Sequence, residues 1–169
     1  MATTFRVLGI DPGSQRTGFG VLDVHGSRLS YVASGVIKTG QGEFAQRLCE
    51  IFRCMQSIVS EYQPHEIAIE KVFVKANPDS ALKLGQARGA AICGAAQGNV
   101  VVFEYATRQI KQAVVGSGAA EKSQVQLMMR SLLNLSGEVP ADAADALAAA
   151  VCHALRGRVR TTLLRVGAR

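Results

Sequence analysis

Across residues 5–39 the chain keeps to short apolar runs, and from residue 43 its apolar residues take a helical spacing instead. "FRVLGID" (5–11) is a compact apolar run ending in Asp11 and is read as a buried strand. "PGSQRTGFG" is a glycine-rich turn. "TGFGVLDV" and "LSYVASGVIKT" are two further strands, joined by the short connection "HGS" (25–27). These runs predict three consecutive antiparallel strands. The stripe Phe44, Leu48, Ile51, Phe52, Met55, Ile58, Val59 and Tyr62 then predicts one amphipathic helix. "EIAIEKV" (66–72) is a strand with Ile67 and Ile69 on one face and Ala68 and Glu70 on the other. Residues 79–97 form a helix capped by Asp79 or Ser80, residues 99–105 a fifth strand, and three helical stretches follow. The helical crossover makes the strand over 66–72 parallel to the first, with the usual right-handed connection. The first strand is then central, and Asp11 stands at its C-terminal end, a common position for a site in an open α/β sheet.

A chain of 169 residues is expected to form one domain with a sizeable core. With 48% hydrophobic and 19% charged residues it reads as globular rather than disordered. No apolar run approaches the length of a bilayer span, and "MATTFRVLGID" enters a strand without a basic segment or cleavage site. A cytoplasmic location is expected. Cys49, Cys54, Cys93 and Cys152 form no CxxC pair and are read as buried small hydrophobes in a reducing compartment. His25, His65 and His153 have no ligand spacing to them, which disfavours zinc, and His153 is read as a surface or core residue. Gly85, Gly89 and Gly94 weaken the helix that holds them, which suggests a close backbone approach there. The net charge of +6 suggests an anionic partner. No acidic residue follows Asp145, whereas Arg156, Arg158, Arg160, Arg165 and Arg169 do. That segment is either a solvated tail or an arm that touches phosphate.

The acidic residues are the most informative. In "ADAADALAAA" (141–150), Asp142 and Asp145 are three apart on one face of a nearly all-alanine helix. Just after Pro140 their ordinary use is to meet the positive end of the helix dipole. Asp11 and Glu70 each end an apolar strand, where a carboxylate ordinarily caps a turn. Together, four converging carboxylates without matching basic neighbours need hard cations to be stable. An all-oxygen site suits Mg²⁺ or Mn²⁺, and two such ions suit in-line displacement at phosphorus.

The segments "GIDPGSQRTGFGVLD", "IAIEKVFVKANPDSALKLGQARGAA", "VFEYATRQIKQAVVGSGAAEKSQVQ" and "DAADALAAAVCHA" carry a resemblance that covers nearly the whole chain. In this order they resemble the RuvC family of Holliday-junction resolvases. The resemblance implies an α/β, ribonuclease H-like fold, a five-stranded mixed sheet flanked by helices. It divides the chain into a nuclease domain over 1–155 and a basic C-terminal tail over 156–169. It implies a homodimer that cuts four-way DNA junctions with Mg²⁺, two ions per site with Mn²⁺ able to substitute, and the RuvA–RuvB branch-migration complex as a partner. By motif, Asp11, Glu70, Asp142 and Asp145 resemble its metal-binding carboxylates, with direct contact surest for the first three. Phe73 resembles the aromatic residue at the junction crossover, and Lys111 and Lys122 resemble basic residues near the active site and DNA. Taken from the residues alone, Phe73 is also an ordinary core phenylalanine and Lys122 an ordinary exposed lysine.

Other classes compete. "GIDPGSQRTG" is also how the phosphate-binding lobe of an actin-like ATPase or sugar kinase opens, but two lobes closing on ATP need roughly twice this length. A junction-binding protein without catalysis, or a ribonuclease H-like nuclease acting on RNA–DNA hybrids, would share much of the pattern.

Overall fold

The computed structural model describes residues 4–72, 77–97 and 100–166, with side chains described as far as Gly157. Five strands and five helices follow in the order β1 (Phe5–Asp11), β2 (Arg16–His25), β3 (Arg28–Lys38), α1 (Phe44–Tyr62), β4 (Glu66–Glu70), α2 (Pro78–Ala95), β5 (Val101–Tyr105), α3 (Thr107–Val115), α4 (Lys122–Leu132) and α5 (Ala141–Val166). They form one mixed sheet in the order β3-β2-β1-β4-β5. β1 is central, antiparallel to β2 and parallel to β4, and β5 is parallel to β4. The expected ribonuclease H-like arrangement is therefore what the chain adopts.

Alternation along the strands divides the core in two. Leu8 and Ile10 of β1 join Ile67 and Ile69 of β4 under α1 and α2. Val7 and Ala68 face the other way, into a core completed by Ile110 of α3, Met129 of α4 and Leu147 of α5. By the same alternation Gly9 and Asp11 of β1, and Glu70 of β4, face α5. Gly9 pairs with Gly20 and Asp11 with Gly18 across β1 and β2, so α5 lies over a floor without side chains. A Cβ on Gly9 would stand 1.9 Å from the carbonyl oxygen of Ala146, and one on Gly18 would stand 1.9 Å from that of Asp142. Alanine on the helix side completes the fit: Ala143, Ala146, Ala148, Ala149 and Ala150 are fully buried. The His153 ring bridges the Tyr105 hydroxyl, 2.7 Å from Nδ1, and the Glu66 carboxylate, tying α5 to β4 and β5. His153 is thus a core residue whose polar atoms are satisfied.

Three local expectations change. Asn77, not Asp79 or Ser80, caps α2: its side chain accepts from the backbone N–H groups of both, and Pro78 takes the first helical position. Of the three helical glycines Gly94 meets a close backbone, since its Cβ would lie 2.4 Å from the carbonyl oxygen of Phe52; Gly85 and Gly89 meet nothing within 4 Å among the described residues. Cys152 is buried and Cys54 partly so, but Cys49 and Cys93 are exposed on the outer faces of α1 and α2. α5 itself continues to Val166, beyond Arg156.

Gly9→Ala is expected to lower the melting temperature sharply, because a methyl group cannot share the space of a helix carbonyl. The cost is about 3 kcal/mol, at the upper end for overpacking. An unchanged thermal melt would contradict the backbone contact.

Candidate active site

The sheet brings the strand-end carboxylates together. Ile10 is in register with Ile69, so Asp11 and Glu70 end adjacent parallel strands on the same face. α5 crosses that end of the sheet with its N-terminal end, which delivers Asp142 from its first turn and Asp145 just beyond it. A cleft of about 350 Å³ lies there, lined by Asp11, Glu70, Thr107, Lys111, Lys122 and Asp145 among others. Asp142 is not part of its wall.

Each carboxylate has a different environment. Burial pushes Asp11 up to about 8, reinforced by the charges of Asp145 and Glu70 and opposed by Lys122. Glu70 is also raised, first by burial; the Thr107 hydroxyl, which donates to its Oε1, pulls in the opposite direction. Asp145 Oδ2 accepts from Lys122 Nζ at 2.5 Å. That contact, helped by the charges of Asp11 and Asp142, raises Lys122 above the ordinary lysine range and keeps it cationic. Asp142 Oδ2 accepts from Arg16 Nε at 2.6 Å. Lys111 acts on Glu70 through its charge. The expectation that the four carboxylates lack basic neighbours is therefore corrected: Arg16 and Lys122 each hold one.

The donor set fits a hard divalent cation. All four groups offer oxygen, and Asp11 and Glu70 hold protons more tightly than ordinary carboxylates because they are buried beside other carboxylates. Among the described residues no three acidic, histidine or cysteine side chains already stand together as a ligand set. The ion pairs to Arg16 and Lys122 occupy two of the four carboxylates, so a cation must displace or share them. Phe73 lies outside the described residues. Arg16 and Thr107 were not singled out from the sequence. Arg16 opens β2 and Thr107 opens α3 just beyond β5, and the fold brings Arg16 to Asp142 and Thr107 to the cleft.

Acidic groups at the ends of two adjacent parallel strands, faced by a helix that carries two more, on a β3-β2-β1-β4-β5 sheet, define a nuclease of the ribonuclease H-like class. Comparison with known proteins narrows the class. The family model described as crossover junction endodeoxyribonuclease RuvC matches residues 7–153, and the chain belongs to the RuvC family. It is 58% identical over 158 residues to crossover junction endodeoxyribonuclease RuvC of Burkholderia lata, covering 94% of this chain and 88% of that one. Among solved structures, Thermus thermophilus RuvC superposes with a TM-score of 0.84 at 34% identity, covering 93% of this chain and 98% of that one. The T. thermophilus protein in complex with a Holliday junction substrate superposes with a TM-score of 0.86 at 35% identity, covering 93% and 97% respectively.

The raised Asp11 makes a signed pH prediction. Its folded pKa of about 8 lies above the ordinary 3.8, so the folded chain binds this proton more tightly than the unfolded chain does. Without divalent cations, Asp11 therefore removes stability as pH rises from about 4 to about 8. Asp11→Asn, which cannot ionise, should melt at a higher temperature than wild type at pH 8, with the gap closing toward pH 4. Calorimetric melts across that range check it; a variant less stable than wild type at pH 8 would contradict it.

Proposed function

We propose that this chain resolves four-way DNA junctions by hydrolysing phosphodiesters on two strands of like polarity, as a homodimer using divalent cations. One observation carries the reading: carboxylates from β1, β4 and α5 converge on a single cleft flanked by lysines. Asp11, Glu70, Asp142 and Asp145 would hold the cation, Mg²⁺ by donor type, with two ions per site and Mn²⁺ as a substitute. When bound, the metal supplies Lewis-acid activation of water and charge at the leaving 3′-oxygen. The chain's own side chains do the rest. Thr107 orients the Glu70 carboxylate through its hydroxyl. Lys122, kept cationic and half exposed, faces the phosphate and offsets charge as phosphorus becomes pentacovalent. Lys111 adds positive charge on the Glu70 side of the cleft. No covalent nucleophile is required.

Phe73, three residues beyond Glu70, is assigned to unstacking a base step at the crossover. The arginines from Arg156 onward add affinity for any DNA form through phosphate contacts. Two-fold pairing suits the substrate, because a four-way junction offers two equivalent strands and each chain holds one carboxylate cleft. The outer face of α2 supports that pairing. Gly85 and Gly89 meet nothing of their own chain among the described residues, and Leu82 beside them is 63% exposed. Small residues unused inside the molecule leave room for a second helix. RuvA–RuvB as a partner and a cytoplasmic location complete the reading; no helix among the described residues is long and apolar enough to cross a membrane.

Asp11→Asn and Glu70→Gln should lower junction cleavage in Mg²⁺ by more than about a hundredfold while junction binding in Ca²⁺ is retained. On a supercoiled cruciform plasmid, dimers of one wild-type and one Asp11→Asn chain should nick one strand, whereas wild-type dimers linearise it. Full cleavage by either variant would remove that carboxylate from the site. Linear product from mixed dimers would refute one incision per chain, and equal cutting of RNA–DNA hybrids would assign the cleft to another nuclease of the same fold.

A further inference from the structure

Arg16, which holds Asp142, has no task in the mechanism. It opens β2 directly after the turn that follows Asp11, and that turn is firmly held. Thr17 Oγ1 donates to the carbonyl of Gly13 at 2.8 Å, and the Thr39 hydroxyl donates to that of Ser14 at 3.1 Å. The Thr39 backbone N–H donates to the carbonyl of Gln15 at 3.1 Å, and Arg47 of α1 donates to that of Ser14. The Arg16 backbone is therefore fixed, while its side chain is 50% exposed.

The form of the contact with Asp142 is informative. Arg6, at the far end of the sheet, grips Asp23 with two parallel hydrogen bonds, from Nε at 2.7 Å and from Nη2 at 2.9 Å. That is the fork geometry of a lasting arginine–carboxylate pair. Arg16 bonds Asp142 through Nε alone. A single exposed ion pair of this kind is weak and exchanges readily. It nevertheless joins the Asp142 carboxylate to β2. Asp145 and Glu70 both act on Asp11 more strongly than Asp142 does, and Asp142 is absent from the cleft wall that the other three share. The backbone there has no room to move, since the Asp142 carbonyl lies over Gly18. Rotation of the side chain remains as the way to bring the fourth carboxylate in.

We infer that Arg16 is an exchangeable counter-ion, which competes with the divalent cation for Asp142 and, on giving up Asp142, takes a backbone phosphate of the bound DNA. This rests on the reading that the cation binds at these carboxylates. Its consequence is reciprocal coupling: DNA that engages Arg16 frees Asp142 for the cation, and a cation on Asp142 frees Arg16 for DNA. A guanidinium suits both partners, because carboxylate and phosphate oxygens accept from it in the same geometry.

The test uses the full-length protein as wild type, Arg16→Gln, Arg16→Lys and Asp11→Asn. Mn²⁺ binding is followed by electron paramagnetic resonance without DNA, and junction binding is followed against salt concentration in Ca²⁺. Arg16→Gln should bind Mn²⁺ about tenfold more tightly than wild type, with little change in melting temperature. The slope of log K against log salt for the junction should fall by about one per subunit. Arg16→Lys should restore the salt slope. Unchanged or weaker Mn²⁺ binding by Arg16→Gln, or an unchanged salt slope, would overturn the inference. If Asp11→Asn binds Mn²⁺ as wild type does, the metal reading beneath it fails and the inference falls with it.

Discussion

Backbone lying on backbone, where α5 meets β1 and β2, is the contact on which the site depends. Gly9, Gly18 and Gly20 expose the sheet, and the buried alanines of α5 let the helix settle onto it. Any side chain in that layer would lift the helix by its own thickness. The first turn of α5 would then no longer reach the strand ends, and Asp142 and Asp145 would part from Asp11 and Glu70. Leu147, which lies over Gly20, and Val151 add buried apolar surface to this close packing, and the Tyr105–His153–Glu66 link holds the helix farther along.

That assembly gathers negative charge in a partly buried place, which costs stability. The raised positions of Asp11 and Glu70 record the cost. Arg16 and Lys122 lower it from opposite sides, one from β2 and one from the start of α4, each through one carboxylate of α5. The two carboxylates on the sheet stay raised, first by their burial. A site built this way holds its charges in readiness for a positive partner and is strained without one, a common balance where function and stability conflict.

Much of this was legible in the residues. The change of hydrophobic spacing at residue 43 gave the order of elements, and the alternation in "EIAIEKV" placed Glu70 on the face opposite Ile67 and Ile69, where α5 is found. The alanine-rich run around Asp142 and Asp145 announced a helix, and the structure shows that its small side chains also let that helix lie against the glycines of β1 and β2. What stayed hidden were contacts between distant segments. Arg16 reaches Asp142 and Thr107 reaches Glu70 only because the sheet order makes them neighbours. Gly85, Gly89 and Gly94 look alike in sequence, yet only Gly94 faces α1. Cys49 and Cys93 sit on helices whose buried faces are served by other residues, so an apolar neighbourhood in sequence did not imply burial.

The central claim is that the α5–sheet contact builds one cation site from groups on β1, β4 and α5. The most direct measurement is anomalous scattering from crystals of the wild-type protein soaked in Mn²⁺ at pH 8. The account predicts a manganese peak between Asp11 and Glu70, in contact with at least one of Asp142 and Asp145. No peak at the strand ends in crystals where these side chains are ordered, or a peak only elsewhere on the surface, would contradict it.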